Sequence, residues 1–243
     1  MKRSGVFAAV LLGAILLASC ERLTYKPLDE LGYLLVQESN KTDKKGLVYD
    51  GELILPMEYD NFQCFQADRD VFFVIAEKAD KDGVFRFTPY GHKAMYFAPH
   101  IDGYDIEGDL YWVGTLADGR QEVMMSQGKF GPCDEIVPIA WGCVFRNGNL
   151  WGACDLSGKI EIPCKYKKIY YFSTFGYCLY DSNDRYVVYN IGHGKYGYLT
   201  QSEIDTLKKY AETAYSPYSF YTPRDKMPQD FYNSIKRRIG KSH

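Results

Sequence analysis

The chain has 243 residues, with 29 Lys and Arg against 31 Asp and Glu, and 46% of it is hydrophobic. That length suits one large domain or two small ones, and the near balance of charge offers no basic field for a nucleic-acid partner. Tyrosine is the outlier, at 22 with 14 Phe and 3 Trp, and aromatics favour pleated, half-buried surfaces with cross-strand pairs. An exposed aromatic platform for glycan or peptide is the alternative use of the same residues.

Taken in order, the chain starts with Lys2 and Arg3, then an apolar or small run from Val6 to Leu17 that closes on Leu17-Ala18-Ser19-Cys20. A basic start, a short apolar core and small residues at its end read as a secretory signal, since a membrane span needs ~20 apolar residues. The Leu-Ala-Ser-Cys ending resembles the lipobox of bacterial lipoproteins. That resemblance implies removal of residues 1–19 and a diacylglycerol on Cys20. The class carries two or three acyl chains, where a single chain binds a membrane only marginally. The expected location is therefore the cell envelope, with the membrane as a partner through the lipid. Glu21-Arg22-Leu23 contains no acidic run, which favours the periplasmic face of the outer membrane over the surface.

Without residues 1–20 the charges stand at 27 basic against 31 acidic, a net of −4. Six cysteines remain: Cys64, Cys133, Cys143, Cys154, Cys164 and Cys178. An exported chain meets oxidising conditions, yet six cysteines allow about fifteen pairings and the sequence selects none. Cysteine also serves as a small buried hydrophobe. No Cys-x-x-Cys pair is present to suggest a metal.

Residues 20–45 are polar, notably Gln37 to Lys45, and read as the lipidated tether, with Leu31 to Val36 as a possible first strand. From residue 46 to 200, short apolar or alternating runs are punctuated by Asp50-Gly51, Asp82-Gly83, Asp102-Gly103, Asp118-Gly119, Asn147-Gly148 and Ser157-Gly158. Such dipeptides supply the positive φ of tight hairpin turns. Turn signals at this density predict an all-β region of antiparallel hairpins.

The hairpins repeat. Gly51, Leu53, Leu55, Pro56, Tyr59 and Phe62 align with Gly158, Ile160, Ile162, Pro163, Tyr166 and Ile169 at a constant offset of 107. Glycine is expected to make the turn, the apolar pair to face one side of a strand, and proline to end the strand by withdrawing a ladder donor. The longer segment Trp141-Gly142 to Tyr166, with Asn147-Gly148, Trp151-Gly152, Asp155, Gly158 and Pro163, resembles the WG-repeat family. Gly46 to Phe62 reads as a degenerate copy. Gly128-Lys129-Phe130-Gly131 and Gly194-Lys195-Tyr196-Gly197 read as fragments with another aromatic in the Trp place. The resemblance implies stacked β-hairpins, as a propeller-like array or a curved open sheet, and a role in interaction. It carries no catalytic residues.

After residue 200 the composition shifts towards helix. Ser202 to Ala214 predicts a helix capped by Ser202, with Ile204, Leu207, Tyr210 and Ala211 as its apolar stripe. Pro228 to Ile239 predicts a second, so 201–243 is a short helical tail.

Candidate chemistry is sparse. Gly192-His193-Gly194-Lys195-Tyr196-Gly197 has dinucleotide-binding spacing, but four residues separate it from the next helix, where the motif needs the helix to begin within the glycines. His92 and His100, near Asp102 and Asp105, match no compact metal pattern. Asp105, Glu107 and Asp109 alternate as if on one strand face, which suits solvent better than calcium. No Gly-x-Ser-x-Gly is present. The basic end Lys236-Arg237-Arg238 and Lys241 suits a helix C-terminus or anionic lipid. No cofactor is implied. The expected function is a non-enzymatic, membrane-anchored binding or scaffold module for a protein or glycan partner. The alternative is an envelope hydrolase using Asp102, Asp105 and Glu107.

Overall fold

A computed structural model describes residues 21–172, 176–190, 195–211, 233–235 and 237. Cys20 and the signal lie outside the described residues. The chain divides into two compact units, after Phe97. Among the described residues the fold is all-β, built of five four-stranded antiparallel sheets, with a short helix near the C-terminus. Every sheet is a meander of four consecutive strands, the outcome expected from closely spaced turn signals.

In the first unit, β1 (Leu23–Pro27), β2 (Leu34–Ser39), β3 (Thr42–Tyr49) and β4 (Glu52–Tyr59) form one sheet. β5 (Asn61–Asp68), β6 (Val71–Glu77), β7 (Asp82–Thr88) and β8 (Gly91–Ala98) form the next. Leu34, Leu47, Leu55, Phe62, Phe72 and Val74 belong to the apolar core that joins them. Residues 21–45, expected as tether, thus contain two strands and half of a third. β1 is an edge strand exposed along its whole length, so its composition looks like linker although its backbone is fully paired to β2 from Leu23↔Ser39 to Pro27↔Leu35.

The second unit carries three sheets. β9 (His100–Ile106), β10 (Asp109–Thr115), β11 (Gln121–Met124) and β12 (Lys129–Cys133) make the first. β13 (Glu135–Ile139), β14 (Gly142–Asn147), β15 (Leu150–Asp155) and β16 (Ile160–Tyr166) make the second. β17 (Lys168–Phe172), β18 (Gly176–Tyr180), β19 (Tyr186–Asn190) and β20 (Lys195–Tyr198) make the third. The middle sheet is buried on both faces. Val144, Trp151 and Ala153 pack towards Tyr171, Tyr177 and Leu179. Cys143, Phe145, Cys154 and Leu156 pack towards Tyr111, Val113 and Val123. The Tyr111 hydroxyl crosses to donate to the Ile139 carbonyl at 2.6 Å.

Four of the six dipeptides lie at turns. Asp50 and Gly51 have φ of 50° and 80° between the register partners Tyr49 and Glu52, a two-residue hairpin loop. Gly119, Gly148 and Gly158 also have positive φ. Asp82-Gly83 and Asp102-Gly103 instead lie inside β7 and β9. The Asp82 carboxylate accepts the Lys78 N–H at 3.2 Å, so it closes the preceding turn from within the strand. The β9–β10 turn falls on Glu107-Gly108, at φ of 55° and 88°.

Proline does not end the repeat strand. It sits in a bulge inside the last strand of the sheet. Trp151 pairs with Tyr166 and Ala153 with Ile162, so Gly152 alone faces Pro163, Cys164 and Lys165. In the first sheet Lys45 pairs with Tyr59 and Leu47 with Leu55, so Gly46 alone faces Pro56, Met57 and Glu58. An edge strand tolerates the missing donor, and the bulge disposes of the extra residues. The bulge lays the strand backbone over the glycine: a Cβ on Gly152 would lie 2.8 Å from the Ile162 oxygen, and one on Gly46 3.0 Å from the Leu55 oxygen. A third bulge sets Glu122 against Gly131 and Pro132. There the glycine is on the other strand, and a Cβ on Gly131 would meet the Glu122 Cα at 2.9 Å. Phe130-Gly131 and Tyr196-Gly197 therefore lie on last strands, β12 and β20, not at the Trp151 position on a third strand.

The helix α1 (Gln201–Ala211) is capped by Thr200, two residues before the expected Ser202. Glu203 accepts the Thr200 N–H at 2.7 Å, and the Thr200 hydroxyl faces the Glu203 N–H at 3.4 Å, a reciprocal capping box. The second expected helix is described only at 233–235 and 237, where it is helical.

Candidate functional site

The residues singled out for chemistry are not gathered into one centre. Asp102 lies on β9 and pairs with His100 at 3.4 Å, both half exposed. The Asp105 carboxylate accepts the Gly108 N–H at 3.1 Å and so shapes the β9–β10 turn. Asp105, Glu107 and Asp109 do not share a strand face, because Glu107 and Gly108 make the turn between β9 and β10. Asp105 and Glu107 do border a groove of about 410 Å³, whose other walls include Pro138, Ile139, Ala140 and Tyr171. Two carboxylates against an apolar wall offer surface for contact. His92 stacks on Phe87, with centroids 5.8 Å apart.

Cys133, Cys143, Cys154 and Cys178 are buried, and Cys64 and Cys164 are half-buried. Burial pushes the Cys64 thiol up to about 12 and that of Cys133 up to about 11. Cys143 is raised by its hydrogen bond with Cys154, whose sulfur lies 3.1 Å away across the β14–β15 pair, and by burial. All six described cysteines are free thiols. The glycine-rich 192–197 stretch lies partly outside the described residues. Its flanks, β19 and β20, pair antiparallel from Asn190↔Lys195 to Val187↔Tyr198, which is a hairpin and not a strand-to-helix phosphate cradle.

A second recess in this unit, of about 330 Å³, is bordered by Lys165, Asp181, Arg185 and Tyr198. Arg185 pairs with Asp181 at 2.8 Å and lies over the Tyr198 ring at 4.9 Å. The Asp181 carboxylate also accepts the Asn183 and Arg185 N–H groups, as Asp155 does for Ser157 and Lys159. The same aspartate-initiated turn thus recurs in two sheets.

The more distinctive recess belongs to the first unit. It measures about 550 Å³ and is bordered by Tyr33, Tyr49, Asp50, Asp70 and Phe72. These residues come from one end of the two sheets: the β1–β2 connection, the β3–β4 turn, the β5–β6 turn and the start of β6. The Asp29 carboxylate accepts the Leu31 N–H at 2.8 Å and the Leu34 N–H at 2.5 Å, which fixes the loop that presents Tyr33. Tyr33 is 50% exposed and meets Phe72 edge-on at 6.2 Å. The Tyr49 hydroxyl donates to the Thr88 carbonyl at 3.1 Å. Its pKa is raised, first by burial and then by Asp50, Asp70, Tyr33 and Asp29. Tyr90, 99% exposed, stands in the neighbouring β7–β8 turn. Sequence reading missed this recess because its walls are four segments apart along the chain, and only the Asp50-Gly51 turn signal pointed near it.

Successive four-stranded antiparallel meanders with aromatics buried on their strands define a β-repeat protein. Residues 151–186 match the family model described as WG containing repeat. That segment runs from the start of β15 to the start of β19, so one repeat takes the last two strands of a sheet and the first two of the next. No curated protein matches the chain. Among solved structures, the chain is similar to the WD40 domain of SCAP from fission yeast, at 11% identity and TM-score 0.30, over 72% of this chain and 54% of that one. It is also similar to the complex of the fission yeast SREBP-SCAP binding domains, at 13% identity and TM-score 0.30, over 74% and 64% respectively.

Proposed function

We propose that this protein is a lipid-anchored binding module of the cell envelope, tethered through Cys20, whose β-repeat domain captures a protein or glycan partner. The carrying observation is the division of labour among side chains. Asp105 and His92 are engaged in turn and packing roles, and Asp102 pairs with His100. Large aromatics stand out of the turns instead, with Tyr33 at 50%, Tyr90 at 99% and Trp141 at 58% exposure. Trp141 holds φ of 75°, a conformation that bulky residues adopt rarely.

Two measurements test this reading. The Leu17-Ala18-Ser19-Cys20 ending motivates the first. Wild-type protein should partition into detergent, and Cys20→Ala should move to the aqueous phase; equal recovery of both in water would remove the anchor. The second is capture of a partner from envelope extract. Replacing Tyr33, Tyr90 and Trp141 by alanine should abolish capture, and replacing Asp102, Asp105 and Glu107 should leave it intact. Hydrolytic turnover that falls by about 10²–10⁴-fold in the carboxylate variant would establish an enzyme instead.

A further inference from the structure

We propose that the recess at the turn end of the first unit binds an arginine or lysine side chain of a protein partner, with Asp50 and Asp70 as counter-charges and Tyr33 and Tyr49 as aromatic walls. This rests on the binding-module reading and names the partner chemistry of one surface. The argument is charge complementarity in a preformed site. Among the described residues that border the recess there are two aspartates and no Lys, Arg or His. Asp29 nearby has its carboxylate engaged by backbone N–H groups. Asp50 and Asp70, by contrast, have no hydrogen bond or ion pair within the described residues, so their charge is available to a ligand. At the Tyr49 phenol, the neighbouring Asp50, Asp70 and Asp29 all raise the pKa, as a negative field does.

The geometry also suits a cation. A guanidinium or ammonium gains from the face of an aromatic ring and from a carboxylate at once. Tyr33, Tyr49 and Phe72 supply the rings around the same space. The walls are fixed beforehand: the Asp29 cap holds the Tyr33 loop, and the two-residue Asp50-Gly51 turn holds Asp50. About 550 Å³ admits a basic side chain with part of its backbone.

The test is calorimetric titration of the full-length protein, purified in detergent, with an acetylated and amidated Gly-Arg-Gly-Arg-Gly peptide. The same peptide with citrulline for arginine keeps the shape without the charge. The arginine peptide should bind at least about tenfold more tightly. Asp50→Asn with Asp70→Asn should erase that difference. Asparagine tolerates positive φ, so the turn should survive, and an unchanged melting temperature verifies it. Tyr33→Ala should weaken the arginine peptide alone. Equal binding of the two peptides, or an arginine preference that persists in the Asp50→Asn, Asp70→Asn protein, overturns the proposal. So does full capture of the envelope partner by that variant, a result that leaves the binding-module reading standing.

Discussion

Replacing Gly152 by alanine should destabilise the second unit by about 3 kcal/mol, the upper end of the usual cost of overpacking, and lower the melting temperature by roughly 6–12 °C. The new Cβ would lie 2.6 Å from the Phe145 Cζ, 2.8 Å from the Ile162 oxygen and 3.0 Å from the Cys164 nitrogen. The phenyl ring can turn aside. The other two atoms are backbone of the bulged strand, and they cannot move without opening the β15–β16 ladder. Gly46→Ala in the first unit should cost less, because its nearest atoms are all at 3.0 Å and two of them are ends of the Leu53 and Met57 side chains. Gly51→Ala supplies the control. Nothing lies within 4 Å of it, and its φ of 80° leaves only the left-handed strain, about 1–2 kcal/mol. Thermal and urea melts of the three variants should rank Gly152 as the most costly. A Gly152→Ala melt that overlays the wild type would mean that the bulged strand does not cover the glycine.

That glycine shows how far the sequence could be read. The 107-residue offset located two equivalent turns and two equivalent prolines, and the structure places both prolines in the same bulge. The offset alone could not show that the strand continues past proline, because the compensating feature is the glycine on the neighbouring strand. Lys45-Gly46 thus stands where Trp151-Gly152 stands, although only the glycine is shared. Local turn signals failed at Asp82 and Asp102 for a related reason. Asp-Gly marks a turn only if the backbone takes positive φ, and here the burial of Val84, Phe85 and Phe87 in β7 and of Ile101 in β9 holds both pairs in strands. The edge strand β1 was hidden by its full exposure. The aromatic-acidic recess was hidden by topology, since Tyr33, Asp50 and Asp70 meet only when three separate turns reach the same end of two sheets.

Trp151→Ala should cost about 3–5 kcal/mol, the usual range for truncating a buried tryptophan, which corresponds to a fall of roughly 6–20 °C in melting temperature. Trp151 is 5% exposed and belongs to the core formed by Ile139, Val144, Ile162, Tyr166, Tyr171 and Tyr177. It pairs with Tyr166 across the β15–β16 ladder, at the edge of the bulge. The Arg146 guanidinium lies 5.8 Å from its ring and is held there by Glu135 at 2.9 Å and the Gly148 carbonyl at 2.7 Å. Truncation would open a cavity between two sheets, and the fixed arginine could not collapse into it. Trp141→Ala provides the contrast. At 58% exposure that ring has little packing to lose, and its removal should change stability by no more than about 0.5 kcal/mol. The two tryptophans therefore divide by burial, one holding the repeat together and the other exposed at a turn. If Trp151→Ala melts with the wild type while Trp141→Ala unfolds early, the assignment is reversed. If Trp141→Ala keeps the wild-type melt and loses partner capture, that exposed turn belongs to the binding surface.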